Sequence, residues 1–421
     1  VRNLFFAISF LVLLVIARPT VAAPILKNGD VLAICGDSIT EQRLYSVFIE
    51  SYLLACKPAD NLRIVQIGWS GETASGFAAR IGSDLLPFHP TVATIFYGMN
   101  DGRYGAMTPL IGQTYGDALK NALDAMKAGG VRTVVVGSPG AVDTATYTKK
   151  PGGDSTVYNQ TLASLTEIAK SVADKSGNPF VDVHSLMMDL MAKAKAKYGK
   201  RFAFAGPDGI HPGRGGHLVM AYAFLKALGC EGDLGTITLD LTSGQNTATG
   251  GHRILSAANG VVEIESRRIP FCFFGDPASS TSEKSMVDLL PFNQQLNRLT
   301  LKVRNAGKGM LRVTWGGVAQ AFSSDALAAG INLPAEFPDG PLNGQFAEIE
   351  KAVVAQQEYE TPLVKTLLHS IPVDKQVVPE ESATLDHVVA GAIAHDKALF
   401  DAAAAIAAKP ARYTIKIEPV P

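Results

Sequence analysis

The sequence predicts an α/β fold, a three-layer αβα sandwich built on a parallel sheet, followed by a β-rich C-terminal region with a helical insertion. Three observations carry this. Residues 31–230 alternate short β-branched runs with longer segments of helical period, the pattern of strands joined by crossover helices. The strand runs are almost continuously apolar, as strands covered on both faces require. Beyond residue 230 the texture changes to alternating apolar and polar residues around Gly and Asn turns, which reads as antiparallel strands. With 421 residues, 47% of them hydrophobic and 18% charged, the chain can bury a large core and divide into two or three domains.

Taken in order, residues 1–23 carry Arg2, an apolar run over 4–16 and small residues ending at Ala22 and Ala23. This is the pattern of a secretory signal, too short for a membrane span, and it is set apart from the fold. It predicts a secreted or periplasmic protein with no membrane association after cleavage. A first domain then occupies 24–230. Its candidate strands are VLAICG from Val31, RIVQIGW from Arg63, TVATIFYG from Thr91, RTVVVGSP from Arg132 and PFVDVHS from Pro179. Helices are predicted over 41–55, 108–128 and 156–174. Residues 231–421 form an accessory β-rich domain, with strands in LGTITLDL, GVVEIESRRIPFCFF, NRLTLKVRNAGKGMLRVTWGG and ARYTIKIEPV. A helical insertion over about 343–408 is broken near IPVDKQVVPEES by prolines.

In open parallel sheets, ligands gather at the carboxyl ends of the strands, so the residues just after each strand hold the chemistry. The first strand ends in GDSITEQ, where Ser38 either caps a helix, in an S-x-x-E box with Glu41, or turns its hydroxyl to the cleft. The second leads into GWSGET, where Gly68 and Gly71 bracket Ser70; such a loop can turn backbone N–H groups inward or be a simple strand-to-helix turn. The third leads into GMND, and Asn100 there is a neutral amide donor that can face developing negative charge or serve as a turn residue. Further on, FAGPDGIHPGRGGH at 204–217 places Asp208 and His211 three apart. The carboxylate can reach one imidazole nitrogen while the other points away, which fixes the tautomer and suits the ring to proton transfer near neutrality. His217 falls in the following helical run and reads as structural, because no second set of metal ligands accompanies it.

Together and in order, these four fragments resemble the SGNH hydrolase superfamily, the GDSL esterases and lipases. GDS at 36–38, SGET at 70–73, GMND at 98–101 and DGIH at 208–211 are similar to its four blocks, over just under half the chain. Ile39 departs from the leucine many members carry, and nothing beyond residue 230 belongs to the family's catalytic core. The resemblance implies a flavodoxin-like sandwich with strand order 2-1-3-4-5 and a serine esterase needing no metal or organic cofactor. It also implies Ser38 as nucleophile, His211 as general base and Asp208 as its orienting acid. The oxyanion hole would comprise the N–H groups of Ser38 and Gly71 and the side chain of Asn100.

The 38 basic and 39 acidic side chains nearly cancel, so no global field draws in nucleic acid or anionic lipid. The expected partner is a small-molecule or polysaccharide ester. Export, the polar and aromatic loop residues and the absence of a long apolar lid point to removal of acetyl or other short acyl groups from carbohydrate. Asp37, Trp69, Arg103 and Tyr104 are the candidate substrate contacts. A lipase or lysophospholipase of the same chemistry is the alternative. A third reading makes residues 231–421 a glycan-binding or surface-attachment module, with Trp315 either a sugar-stacking platform or a core residue. A nucleotide binder lacks its glycine-rich phosphate loop. Export would also let Cys35, Cys56, Cys230 and Cys272 pair in any of three ways, whereas Cys35 within an apolar run equally suits a buried free thiol.

Overall fold

A computed structural model describes residues 25–58, 61–148 and 154–420. The expected signal segment, 1–23, lies outside the described residues. The first half runs β1 (Val31–Gly36), α1 (Ser38–Glu41), α2 (Tyr45–Cys56), β2 (Arg63–Gly68), α3 (Ala74–Arg80), β3 (Val92–Phe96), α4 (Pro109–Ala128), β4 (Thr133–Gly137), α5 (Ser155–Ser176), β5 (Phe180–Val181), α6 (Val183–Tyr198) and α7 (Arg214–Ala227). Its sheet is wholly parallel, as the alternation of strands and helices predicts, in the order β2-β1-β3-β4-β5 that the resemblance implies.

Strand periodicity divides the core in two. Leu32, Ile34, Val92, Phe96 and Val135 point into one layer with α2, α6 and α7. Ala33, Cys35, Val65, Ile67, Ala93, Ile95, Val134 and Val136 point into the other with α3 and α4. Both faces being covered is why these strands are almost continuously apolar, with Gln66 and Thr94 as buried polar exceptions. Local signals set the helix starts: the Thr108 side chain accepts the Ile111 N–H and Pro109 opens α4.

Two predicted elements are shorter than expected. The 41–55 helix is split, since Arg43 adopts a left-handed φ of 56° between α1 and α2. The Pro179 run gives only a two-residue strand, because Asp182 accepts the Ser185 N–H and starts α6 at once.

The second half contains β6 (Asp233–Asp240), β7 (Thr247–Ala248), β8 (His252–Ala258), β9 (Val261–Ser266), α8 (Phe292–Gln295), β10 (Arg298–Arg304), β11 (Met310–Trp315), β12 (Val318–Ser323), α9 (Ser324–Ala329), β13 (Ile331–Asn332), α10 (Leu333–Glu336), α11 (Asn343–Pro362), α12 (His369–Val377), α13 (Ser382–Ala407) and β14 (Ala411–Pro419). A π-helical turn, Leu363–Leu368, joins α11 to α12. One sheet, β12-β11-β14-β9-β8, is antiparallel throughout, as predicted. The other, β13-β10-β6-β7, corrects the prediction because β6 and β10 pair in parallel. Alternating burial is the same for either direction, so periodicity could not distinguish them.

The apolar run after β9 is not strand. Ile269 N–H donates to the Ala55 carbonyl at 2.9 Å, and Phe271 packs among Phe48, Phe292 and Phe346. The side chain of Asn297 takes the place of a strand partner, bonding both the N–H and the carbonyl of Phe271 at 2.9 Å. Trp315 is 2% exposed against Phe337 and Tyr413, which removes it as a sugar-stacking platform. All four cysteines are free and buried, so none of the three pairings forms.

The helical insertion is not a separate appendage. It covers the open edge of the parallel sheet, where β2 presents backbone groups to a neighbour. Glu360 accepts the Gln66 N–H at 2.8 Å, and Gln356 donates to the Ile64 carbonyl at 3.1 Å. Arg63 pairs with Asp396 at 2.7 Å, while Gln357 accepts from Ser46 and donates to Glu50, both at 2.7 Å.

This buried seam holds three carboxyls, and burial pushes Glu50 up to about 8. Unfolded glutamate ionises near pH ~4.3. Between those values the native state holds the extra proton, so stability falls as pH rises through the interval. Glu50→Gln removes that proton. It is expected to flatten the decline in urea-measured stability from about pH 5 to 8, by at most ~1.4 kcal/mol per pH unit. An unchanged slope would place the titration elsewhere.

Candidate active site

The site is built where β1, β2 and β3 end. Asp37 follows β1 and caps α1, its Oδ1 accepting the Ile39 N–H at 3.0 Å. Ser38 therefore does not serve as the cap, and Glu41 does not fold back in an S-x-x-E box; its carboxylate instead accepts the Ser70 N–H and pairs with Lys365 at 2.8 Å. Freed from capping, the Ser38 hydroxyl donates to His211 Nε2 at 2.8 Å. Its own N–H lies in the first turn of α1, where the helix supplies no acceptor.

His211 Nδ1 donates to Asp208 Oδ2 at 2.6 Å, and Asp208 Oδ1 accepts the N–H groups of Ile210 and His211, both at 3.0 Å. Burial pushes the Asp208 carboxyl up, but the hydrogen bonds from His211 and Ile210 outweigh it and hold the group below its ordinary value. An ionised carboxylate only accepts, so Nδ1 carries the hydrogen and Nε2 is left to receive the Ser38 proton.

The loop bearing these residues is pinned by 143–148. Asp143 N–H donates to the Gly209 carbonyl at 2.8 Å, Thr146 Oγ1 to that of Gly206 at 2.9 Å and Thr148 N–H to that of Asp208 at 3.1 Å. Gly206 has φ +77°, and a Cβ there would sit 1.9 Å from the His211 carbonyl oxygen. Only glycine lets the loop close tightly enough to bring Asp208 beneath the imidazole.

After β2, residues 69–72 form a turn closed by a 3.2 Å bond from Glu72 N–H to the Trp69 carbonyl. Gly71 occupies the third position with φ +75°, the geometry of a type II turn. The bond that closes the turn is made by the Glu72 N–H and not by that of Gly71. After β3, Asn100 is oriented at both ends: Oδ1 accepts the Tyr104 hydroxyl at 2.7 Å, and Nδ2 donates to the Glu72 carbonyl at 2.9 Å and lies 3.5 Å from Asp37. Asp101 caps α3 from outside, accepting the Ala74 N–H at 3.0 Å; burial pushes it up to about 6.

Ser38, Asp208 and His211 line an open cleft of about 550 Å³ with Gln42, Ser70, Ser280 and Thr281. Asn100 and Arg103 line a second recess of about 200 Å³ with Thr73 and Ser75. Of the expected substrate contacts, Asp37 is corrected: at 1% exposure it is a buried cap whose carboxyl, with burial the main cause, is pushed up to about 7. Tyr104 orients Asn100, and Arg103 is exposed. The Trp69 ring is half-buried between Arg80, Lys365 and His369. His217 is structural as expected, accepting the Tyr45 N–H at 3.3 Å and donating to Gln42 at 2.9 Å, with burial pushing it down to about 3.

Sequence reasoning missed Ser280, Thr281, Lys365 and His369. They come from the second half of the chain and carry no local motif.

The profile of the GDSL-like Lipase/Acylhydrolase family matches residues 34–219. The acetylxylan esterase of Geobacillus stearothermophilus is 23% identical over 224 residues, which is 48% of this chain and 96% of that protein. Among solved structures, a gut microbial diltiazem-metabolizing enzyme superposes with a TM-score of 0.70 at 21% identity, covering 94% of this chain and 98% of its own. The arrangement of both halves therefore recurs as a fold. The crystal structure of an acetylxylan esterase from Geobacillus stearothermophilus covers 49% of this chain and 97% of its own, at 23% identity and a TM-score of 0.39.

Proposed function

Because residues 34–219 belong to the GDSL-like lipase/acylhydrolase family and the chain is an ester-hydrolysing enzyme of the SGNH hydrolase superfamily, we propose that it is a secreted serine esterase that removes acetyl or other short acyl groups from carbohydrate. The observation that carries the mechanism is the continuous hydrogen-bonded chain from Ser38 through His211 to Asp208.

In this reading Ser38 Oγ attacks the ester carbonyl as its proton passes to His211 Nε2. Asp208 steadies the imidazolium that results. The carbonyl oxygen gains the negative charge and is met by the N–H groups of Ser38 and Gly71 and the amide of Asn100. Collapse of the tetrahedral intermediate breaks the ester C–O bond, and the imidazolium gives its proton to the departing alcohol. Water then attacks the acyl-enzyme with His211 as base, releasing the acid and restoring Ser38.

Asn100→Ala should lower kcat by about a hundred- to a thousandfold while changing KM little, since the donor acts on charge present only in the transition state. A rise in KM at constant kcat would remove Asn100 from the oxyanion site.

The short-acyl, carbohydrate assignment draws on the open cleft with its polar lining of Ser38, Gln42, Ser70, Ser280 and Thr281, and on the acetylxylan esterase relative. Extracellular placement draws on the Arg2-led apolar run and its small-residue exit. The test is hydrolysis of acetylated xylo-oligosaccharide beside matched acetyl and long-chain aryl esters. Acetate release with a preference for short chains is expected; a preference for long chains would make the enzyme a lipase.

A further inference from the structure

On that reading of Ser38 and Gly71, we propose that Lys365 of the helical insertion is a positioning residue for the oxyanion site, acting through Glu41 to fix the 69–72 turn. The chain of contacts is short. Lys365 Nζ lies 2.8 Å from Glu41 Oε1, and Glu41 Oε2 accepts the N–H of Ser70, the residue before Gly71. The ammonium also sits 5.1 Å from the centre of the Trp69 ring, at the start of the same turn. A second tie runs beside the first: Arg43 Nη1 donates to Thr361 Oγ1 at 3.0 Å and to the Glu41 carbonyl at 3.2 Å.

The brace acts on the middle of the turn, since its ends are held elsewhere, the Trp69 N–H by the Gly36 carbonyl and the Glu72 carbonyl by Asn100 Nδ2, both at 2.9 Å. Ser70 and Gly71 are exposed, and the turn's own closing bond is a single 3.2 Å contact. Glycine at its third position leaves the backbone free to rotate. An oxyanion donor is useful only if it is held in place before charge develops. Glu41 anchors the Ser70 N–H and thereby the orientation of the adjoining peptide. Lys365 holds Glu41 in return: burial pushes that carboxyl up, yet Lys365 and Ser70 keep it below its ordinary value. Without the ammonium, the Glu41 side chain can turn towards water and release the Ser70 N–H. The insertion, joined to the sequence more than three hundred residues from Glu41, thus completes the site rather than only covering the sheet edge.

The experiment compares Lys365→Met, Lys365→Arg, Glu41→Gln and Ser38→Ala in the full chain, using a short-chain aryl ester and a small alkylboronic acid as a mimic of the tetrahedral intermediate. Lys365→Met and Glu41→Gln should each lower kcat by about ten- to a hundredfold, with KM within about twofold and boronate binding weakened in proportion to kcat. Lys365→Arg should restore most of the loss, and thermal melting should show each variant folded. If Ser38→Ala abolishes turnover but Lys365→Met and Glu41→Gln keep wild-type kcat and boronate affinity, the inference fails while the serine mechanism stands. If KM rises while kcat stays unchanged, Lys365 contacts substrate and the positioning role is wrong. Should Ser38→Ala retain full turnover, the reading on which the inference rests falls first.

Discussion

Replacing Ser38 with alanine is expected to lower kcat for a short-chain ester by about a millionfold while leaving the fold intact. Ser38 is half-buried at the start of α1, and its hydroxyl bonds His211 rather than the backbone. Losing it removes no cap, because Asp37 performs that task. Turnover remaining above the uncatalysed rate would come from the oxyanion donors and substrate binding. Members of a catalytic unit fail together, so Ser38→Ala with His211→Ala should be scarcely worse than Ser38→Ala alone. Single-turnover kinetics on both variants checks this. Multiplicative losses would mean that the two side chains do not act as one unit.

Asp208→Asn is expected to lower kcat by about ten-thousandfold. An asparagine can keep its Oδ1 on the N–H groups of Ile210 and His211, where Asp208 holds them at 3.0 Å. It then presents an NH₂ group to the His211 nitrogen that now donates at 2.6 Å. The ring must shift its hydrogen to Nε2, which can no longer accept the Ser38 proton. The loop itself is held by bonds from 143–148, so the melting temperature should change far less than the rate. Comparable losses of melting temperature and rate would instead assign Asp208 a structural role.

How much of this was legible in the sequence depended on how local each cause is. VLAICG gives β1 to the residue, because a strand covered on both faces must be apolar throughout. Asp208 and His211 are three apart on a glycine-rich loop, so their contact is set by the chain itself. The alternation of strand and helix, together with the handedness of crossovers, leaves few sheet orders, and β2-β1-β3-β4-β5 is the one the motifs imply. Where two neighbouring side chains compete for one task, sequence was weaker: both Asp37 and Ser38 are good caps, and the backbone selects Asp37.

Long-range partners were not legible. The parallel pairing of β6 with β10 has the same side-chain period as an antiparallel one. Nothing near Gln66 announces that Glu360 will cap the sheet edge, and nothing near Glu41 announces Lys365. Such contacts arise from how the insertion docks, a property of tertiary packing rather than of any local pattern. The prolines of the insertion likewise mark a boundary only in part: Pro362 and Pro372 lie within helices, and the break comes at Val378.

The central claim is that Ser38 is the nucleophile, activated by His211. Its most direct measurement is covalent labelling of the wild-type protein by a fluorophosphonate, followed by peptide mapping of the adduct. The account predicts one adduct, on Ser38, formed slowly or not at all in His211→Ala. Stoichiometric labelling of another residue, or an unlabelled wild type that still hydrolyses esters, would contradict it.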